Sequence, residues 1–349
     1  MLSRTQPSGR RLRMPDASGA RAWLESASPI PPDALTRVLA HQRADGSWGE
    51  ADDARRRVLP TLWTLSTMSD LEAGDASDVR LGSREWQASS SPHHADGRAL
   101  TTRHAWPAAV GFLVEHATTT DGVFSRDGTP SGVLSCYVAV AGTTYMRCGR
   151  HDLAAPQIDW IVRHQDVRVH GHSPRGPLPL YEPGLATRYG GCLASTSCLV
   201  GVVKAGRALA HWRRDHPASA SAVDELLGHI RASLLARSLV FRGDGEILPL
   251  GTSPTRAREW LAPTFPLDWR TDLVEVLDLI THTGDPDERM QPALDLLAAA
   301  QHPSGAWPLA RAYWPPGFPA LEPRSVRSPS RLATSRVLHA LAPLTDEAR

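Results

Sequence analysis

The chain lacks any surplus of charge. Its 349 residues carry 38 Lys and Arg against 37 Asp and Glu. A nucleic-acid binder usually shows a basic excess, so no nucleic-acid partner is expected. The same balance argues against an acidic disordered chain. Long apolar runs are missing as well. No stretch approaches the roughly 20 residues of a membrane-spanning helix, so no span is expected, while peripheral membrane contact stays open. The Arg10–Arg11 pair is followed by no apolar block, which argues against a signal peptide. Cysteine is sparse: Cys136, Cys148, Cys192 and Cys198, with no CxxC pair. That is no disulfide framework, and the four read as free thiols of a cytoplasmic protein. Lysine is nearly absent, Lys204 being the only one, which a GC-rich coding sequence explains. Walker, GxGxxG, GxSxG and HExxH motifs are all missing. Nucleotide, dinucleotide and simple serine-hydrolase chemistry therefore lack support.

What is present is tryptophan, 11 residues against 5 Phe and 5 Tyr. A plain helical core would use Leu and Phe first. Such an excess points to stacking, ligand contact or a repeated structural motif. Apolar residues recur at helical spacing, and no stretch alternates with period two. Helices are expected over 17–27, 33–43, 58–73, 78–89, 103–118, 131–148, 153–165, 192–213, 219–240, 268–283, 288–301 and 330–343. Residues 1–16, polar and Arg-rich, read as a flexible segment ahead of a single domain over 17–349.

Two turns share one pattern. Gln42-Arg-Ala-Asp-Gly46-Ser-Trp48 and Gln301-His-Pro-Ser-Gly305-Ala-Trp307 both read Q-x3-G-x-W, and both follow an amphipathic helix. Weaker copies stand at Asp121-Gly122-Val-Phe124, at His164-Gln165 to Gly171, and at Gly243-Asp-Gly245. Glycine can end a helix in a left-handed conformation. The Gln amide can satisfy free backbone groups. The Trp ring can pin one helix pair to the next, so stacked hairpins bury a continuous core.

These turns resemble the QW motif of the prenyltransferase and squalene-cyclase superfamily. Cys192 to Leu209, Phe265 to Leu277 and Ser328 to Leu338 resemble stretches of stand-alone bacterial and archaeal proteins carrying this repeat. The resemblance implies an all-α fold, an α/α toroid of about six helical hairpins. The helix after each turn would belong to the inner ring, here 58–73, 131–148, 192–213, 268–283 and 330–343. Their first turns would line the mouth, with Arg57, Trp63, Cys136, Tyr137, Cys192, Ser195, Asp268, Trp269, Asp272 and Arg331 among them. Residues 85–130 divide less cleanly. They are read as a sixth pair, an insertion or a lid carrying His93, His94 and His104.

The resemblance also implies chemistry in an apolar central cavity, on an isoprenoid or another apolar small molecule. Cyclases of this family protonate an alkene with a buried Asp of a DxDD motif, and aromatic rings then stabilise the carbocation. This chain has no DxDD. Its nearest acids are Asp268 and Asp272, four apart at an expected helix N-terminus and beside Trp269. They are the candidate catalytic residues, although an N-cap and a first-turn acid would serve helix structure alone. Trp63, Trp106, Cys136, Tyr137, Ser195, Cys198 and Trp269 are the candidate substrate-binding residues. The DxC of the zinc-dependent transferases is absent, so no metal site and no cofactor are expected, with Mg2+ reserved for a diphosphate substrate. Cys136, Cys192 and Cys198 are more simply small buried hydrophobes. His164, His170 and His172 fall in or beside a Pro-rich loop and read as solvated. Lys204 is expected to pack its stem and reach a carboxylate or solvent. Two other functions stay open: a non-catalytic toroid binding a lipid, peptide or partner protein, and a glycosidase pairing Asp52 or Asp53 with Asp268 or Asp272.

Overall fold

The computed structural model describes residues 12–28, 34–73, 106–165, 167, 198–219, 221–241, 246–247, 259–322 and 324–345. Among the described residues there are eleven α-helices, a few isolated bridges and no strand. The fold is all-α. In chain order the helices are α1 (Ala17–Ser26), α2 (Ala34–Ala40), α3 (Ala54–Ala73), α4 (Trp106–His116), α5 (Ser135–Arg147) and α6 (His151–His164). They continue with α7 (Leu199–Asp215), α8 (Ser221–Leu235), α9 (Leu273–His282), α10 (Gln291–Ala299) and α11 (Arg331–Leu341). The helix expected over 78–89 lies outside the described residues, as do His93, His94 and His104. None of the described helices is long and apolar enough to cross a membrane.

Burial sorts the helices into two layers. α5 buries every residue from Val138 to Met146, and α7 every residue from Leu199 to Gly206. α9 buries all but Asp278 between Leu273 and Thr281. A helix covered on all sides sits inside. By contrast α6 buries Ala154, Gln157, Ile158 and Ile161, and α8 buries Val223, Leu226, Leu227 and Ile230. That is a one-sided stripe, the mark of an outer helix. The inner helices α3, α5, α7, α9 and α11 pack in that order, each on the next. Helices α4, α6, α8, α10 and α1 cover them from outside, α1 lying on α11.

The inner helices run parallel. At the α3–α5 contact Trp63 meets Tyr137 and, further along both helices, Asp70 meets Arg147. At the α9–α11 contact Asp272 meets Arg336 and Asp278 meets His339. The order is conserved along each pair, so their N-termini share one end. This is the inner-and-outer arrangement of an α/α toroid.

The repeated turns position these layers. Gln42 Nε2 donates to the Gly46 carbonyl (2.9 Å), Trp48 Nε1 to the Val38 carbonyl (2.9 Å), and the Trp48 amide to Thr61 Oγ1 (3.0 Å). The second turn repeats the set: Gln301 donates to Gly305, Trp307 Nε1 to the Leu297 carbonyl (2.8 Å), and the Trp307 amide to Thr334 Oγ1 (2.9 Å). Both Trp rings are buried, and each is worth about 3–5 kcal/mol against Ala. Gly46 and Gly305 have φ of +85° and +86°. They are also points of close approach. A Cβ on Gly46 would lie 2.4 Å from the Ala108 backbone in α4, and one on Gly305 2.6 Å from Gly19 in α1.

The weak copy at Gly122 has the same turn. The Thr119 amide donates to Val123 and the Gly122 amide to Thr119, as Arg43 to Ser47 and Gly46 to Arg43. Here Phe124 replaces Trp, and the amide comes from Gln157 of α6, which donates to the Gly122 carbonyl (2.8 Å) and accepts from the Phe124 amide (2.8 Å).

Several boundaries move. The helix expected from 192 starts at Leu199, after an N-cap at Cys198. The helix expected from 268 starts at Leu273, because Asp272 is its N-cap, in extended conformation, accepting from the Glu275 amide at 2.8 Å. Residues 12–16 are pinned to α10. The Arg13 amide donates to Gln291 Oε1 (2.8 Å), and Gln301 Nε2 donates to the Asp16 carbonyl (2.7 Å).

Candidate functional site

The N-terminal rim of the inner layer is apolar and aromatic. Leu134, Cys136 and Val200 form a small buried cluster, with Tyr137, Cys198 and Trp269 packed against it. Trp63 of α3 meets Tyr137 edge to face, ring centres 5.3 Å apart. Five of the seven expected substrate-binding residues thus converge: Trp63, Cys136, Tyr137, Cys198 and Trp269. Trp106 stands apart. It lines a cleft of about 320 Å³ with Cys148, Gly149 and Arg150, past the C-terminal end of α5. Ser195 lies outside the described residues. Among the described residues no His, Asp or Glu joins Cys136 and Cys198 to complete a metal set.

The sequence reading missed part of this rim. Arg270 lies over the Trp269 ring (4.7 Å) and over the Tyr313 ring (3.9 Å). Trp314 meets Phe265 edge to face at 5.9 Å and stacks on Phe318 at 5.5 Å. The Tyr313 amide donates to the Pro266 carbonyl, which docks 311–318 on the turn before α9. The Trp-Pro and Gly-Phe-Pro run at 314–319 was the available signal.

The two candidate acids do not share a helix face. Asp268 lies in the turn before α9, with φ of +48°, and forms an ion pair with Arg270. Burial pushes its carboxyl above the ordinary range, and Arg270 only partly offsets this. Asp272 is 0% exposed. Its two oxygens accept from the Glu275 amide (2.8 Å), the Thr264 amide (2.8 Å) and both terminal nitrogens of Arg336 (2.7 and 3.1 Å). That is a carboxylate with its acceptor sites filled. Arg57 and Arg331, also expected at the mouth, hold backbone. Arg57 reaches the Ala51 carbonyl (2.8 Å) and Asp45, and Arg331 the Leu24 carbonyl (2.8 Å). Asp52 and Asp53 are exposed.

Deeper along the inner helices the apolar cavity expected from the resemblance is replaced by charge among the described residues. Lys204 and Glu275 are 4% and 2% exposed, and Nζ lies 2.8 Å from Oε1. Arg207 bridges Glu275 and Asp70, both at 3.0 Å, and Asp70 also pairs with Arg147. Burial alone would raise the Glu275 carboxyl; Lys204 and Arg207 outweigh it and hold it below the usual value. Burial, with Arg147 and Arg207 nearby, pushes His211 well below the usual imidazole value. Two clefts open here. One, a narrow space of about 30 Å³, has Arg207, Glu275, Asp278, Arg336 and His339 in its walls. The other, about 20 Å³, is lined by Ser66, Thr67, Thr143, Lys204 and Asp268. The physical reason is a polar stripe. Lys204, Arg207 and His211 recur at helical spacing on α7, and Glu275, Asp278 and His282 on α9.

An apolar chain cannot enter this region without desolvating paired charges, which costs several kcal/mol per ion. The rim is apolar and aromatic; the centre is a charged floor.

No family model matches the chain, and no curated protein matches it either. Among solved structures, the chain is similar to the type II terpene cyclase MstE from Scytonema, solved with its substrate geranylgeranyl dihydroxybenzoate. The alignment covers 94% of this chain and 99% of that chain, at 10% identity and a TM-score of 0.34.

Proposed function

We propose that this chain binds an apolar, isoprenoid-like small molecule at the aromatic rim of its inner helices. The observation that carries this reading is the convergence of Trp63, Cys136, Tyr137, Cys198 and Trp269 at one end of that layer. Rings and thiols offer dispersion contact and low desolvation cost to an apolar ligand. The resemblance of the Gln-x3-Gly-x-Trp turns to the QW motif makes isoprenoids the first class to try. Asp272 has no free acceptor site for a substrate, which weighs toward binding over protonation by that residue.

One observation favours a catalytic second reading. Asp268 is largely covered, burial pushes its carboxyl up, and it precedes Trp269 in the chain. A carboxyl shifted upward by burial is a step toward the kind of acid that alkene protonation needs. Against it, its cleft is lined by hydroxyls and charges.

The test is to incubate the protein with squalene, farnesyl diphosphate and geranylgeranyl diphosphate, with and without Mg2+. The expected result is thermal stabilisation by at least one of them, lost in Trp269→Ala. Turnover that Asp268→Asn abolishes would establish the catalytic reading. No stabilisation and no turnover with any of the three would sink both.

A further inference from the structure

We propose that Asp278, His282 and His339 form a binding site for a divalent transition-metal ion, with Zn2+ the best fit. Asp278 and His282 stand at i and i+4 on α9, hence on one face. His339 comes from α11, the neighbouring inner helix. One ligand atom from each of the three residues lies within 4.8 Å of the other two.

The distances carry the argument. Asp278 Oδ1 is 3.2 Å from His282 Nδ1 and 3.4 Å from His339 Nε2. As hydrogen bonds these are long, since N–H···O contacts centre near about 2.9–3.0 Å. Oδ1 is buried, and these two imidazoles are its long-range partners. As edges of a coordination tetrahedron they fit. Zn–N and Zn–O bonds of about 2.0–2.1 Å at the tetrahedral angle place neighbouring ligand atoms about 3.3–3.4 Å apart. Two of the three edges already have this length. A buried carboxylate oxygen held only by such long contacts is also a group that a cation would satisfy.

Binding would rearrange one imidazole. His282 Nδ1 also lies 3.0 Å from the Asp278 carbonyl, so a metal there displaces that proton. The rings of His282 and His339 stack at 4.7 Å and 20°. A metal lies in the plane of each imidazole it binds, so one ring must turn to close the third edge. His282, 36% exposed, is the freer of the two.

The nearby cations do not forbid the site. Arg207 is paired with Asp70 and Glu275, and Arg336 with Asp272. Asp278 and His339 line the narrow cleft of about 30 Å³, so the fourth coordination position faces a space that holds about one water. Three protein ligands and one open position make a site for water or an anionic ligand, not a closed structural clamp. Imidazole nitrogens select Zn2+ and its neighbours over Ca2+ and Mg2+. The site is separate from the rim and stands or falls without it.

Untagged full-length protein, stripped with chelator, is titrated with Zn2+ by calorimetry and with Co2+ by visible absorption. We expect about one equivalent bound and the intense bands of tetrahedral Co2+. His339→Ala, His282→Ala and Asp278→Asn should each weaken binding by more than about tenfold. His229→Ala, on the outer helix α8, should leave it unchanged. Circular dichroism checks folding, and the half-exposed His282 gives a readable variant if His339→Ala fails to fold. Binding far below one equivalent, or binding that survives His282→Ala and His339→Ala, overturns the proposal. Loss of binding in His151→Ala alone also overturns it, because it would place the ion at the His151–His216 pair.

Discussion

At the N-terminal end of α5, Tyr137 meets Trp63; at the C-terminal end of the same helix, Arg147 meets Asp70. Both ends are buried between the same neighbours. One is closed by rings and thiols, the other by ion pairs. Apolar contact tolerates sliding, because any ring can touch any other. Ion pairs do not, since each buried charge needs its own partner. The comparison suggests a division of labour along one set of helices. The charged end fixes the axial register of α3, α5, α7, α9 and α11, and the apolar end constrains it less.

Breaking the charged end should cost most. Glu275→Leu leaves Lys204 and Arg207 short of a counter-charge and should lower unfolding free energy by about 3–5 kcal/mol, read from urea midpoints. Adding Lys204→Met should return part of that loss, since removing both members of a buried pair is milder than removing one. A double variant as unstable as the sum of the singles would contradict the pairing. At the apolar end the same measurement should give less. Trp269 is half-buried, so Trp269→Ala should cost about 1–2 kcal/mol while removing the ligand response. An equal loss at both ends would erase the distinction.

The smallest effect is one of pH, at the boundary between the ends. The folded-state value of Asp268 is raised from 3.8. The folded protein therefore keeps this proton to higher pH than the unfolded chain does. Its contribution to stability is full below the ordinary carboxylate value and declines as pH rises through the raised one. Asp268→Asn should flatten the melting temperature against pH across that window, by at most about one proton's worth of slope. An unchanged profile would mean that Arg270 keeps the carboxylate charged throughout.

Much of the architecture was legible in the residues. Apolar periodicity located the helices, and the two Q-x3-G-x-W turns identified where inner helices follow. The start of α9 lies at Leu273, five residues past the expected 268. The sharper signal was Asp272 with Glu275 three residues on, the spacing of an N-cap and its first-turn acid. The third turn was half-legible: Gly122 and Phe124 were visible, but the amide comes from Gln157. The rim was partly readable because its residues head inner helices. The charged centre was readable only as stripes. Helical spacing showed that Lys204, Arg207 and His211 share a face, but not which helix would face them. Pairing depends on the order of packing, which no single helix encodes.

The contact between the first and last helices has a consequence in time. Arg331 at the start of α11 donates to the Leu24 carbonyl of α1, 307 residues earlier. Gly305 packs on Gly19 in the same seam. At roughly 5–20 residues per second, α1 is made about 15–60 s before its partner exists. For that interval α1 lacks the α11 surface that it packs against. The docking of α1 on α11 is thus a late event of synthesis, made only once the last inner helix exists.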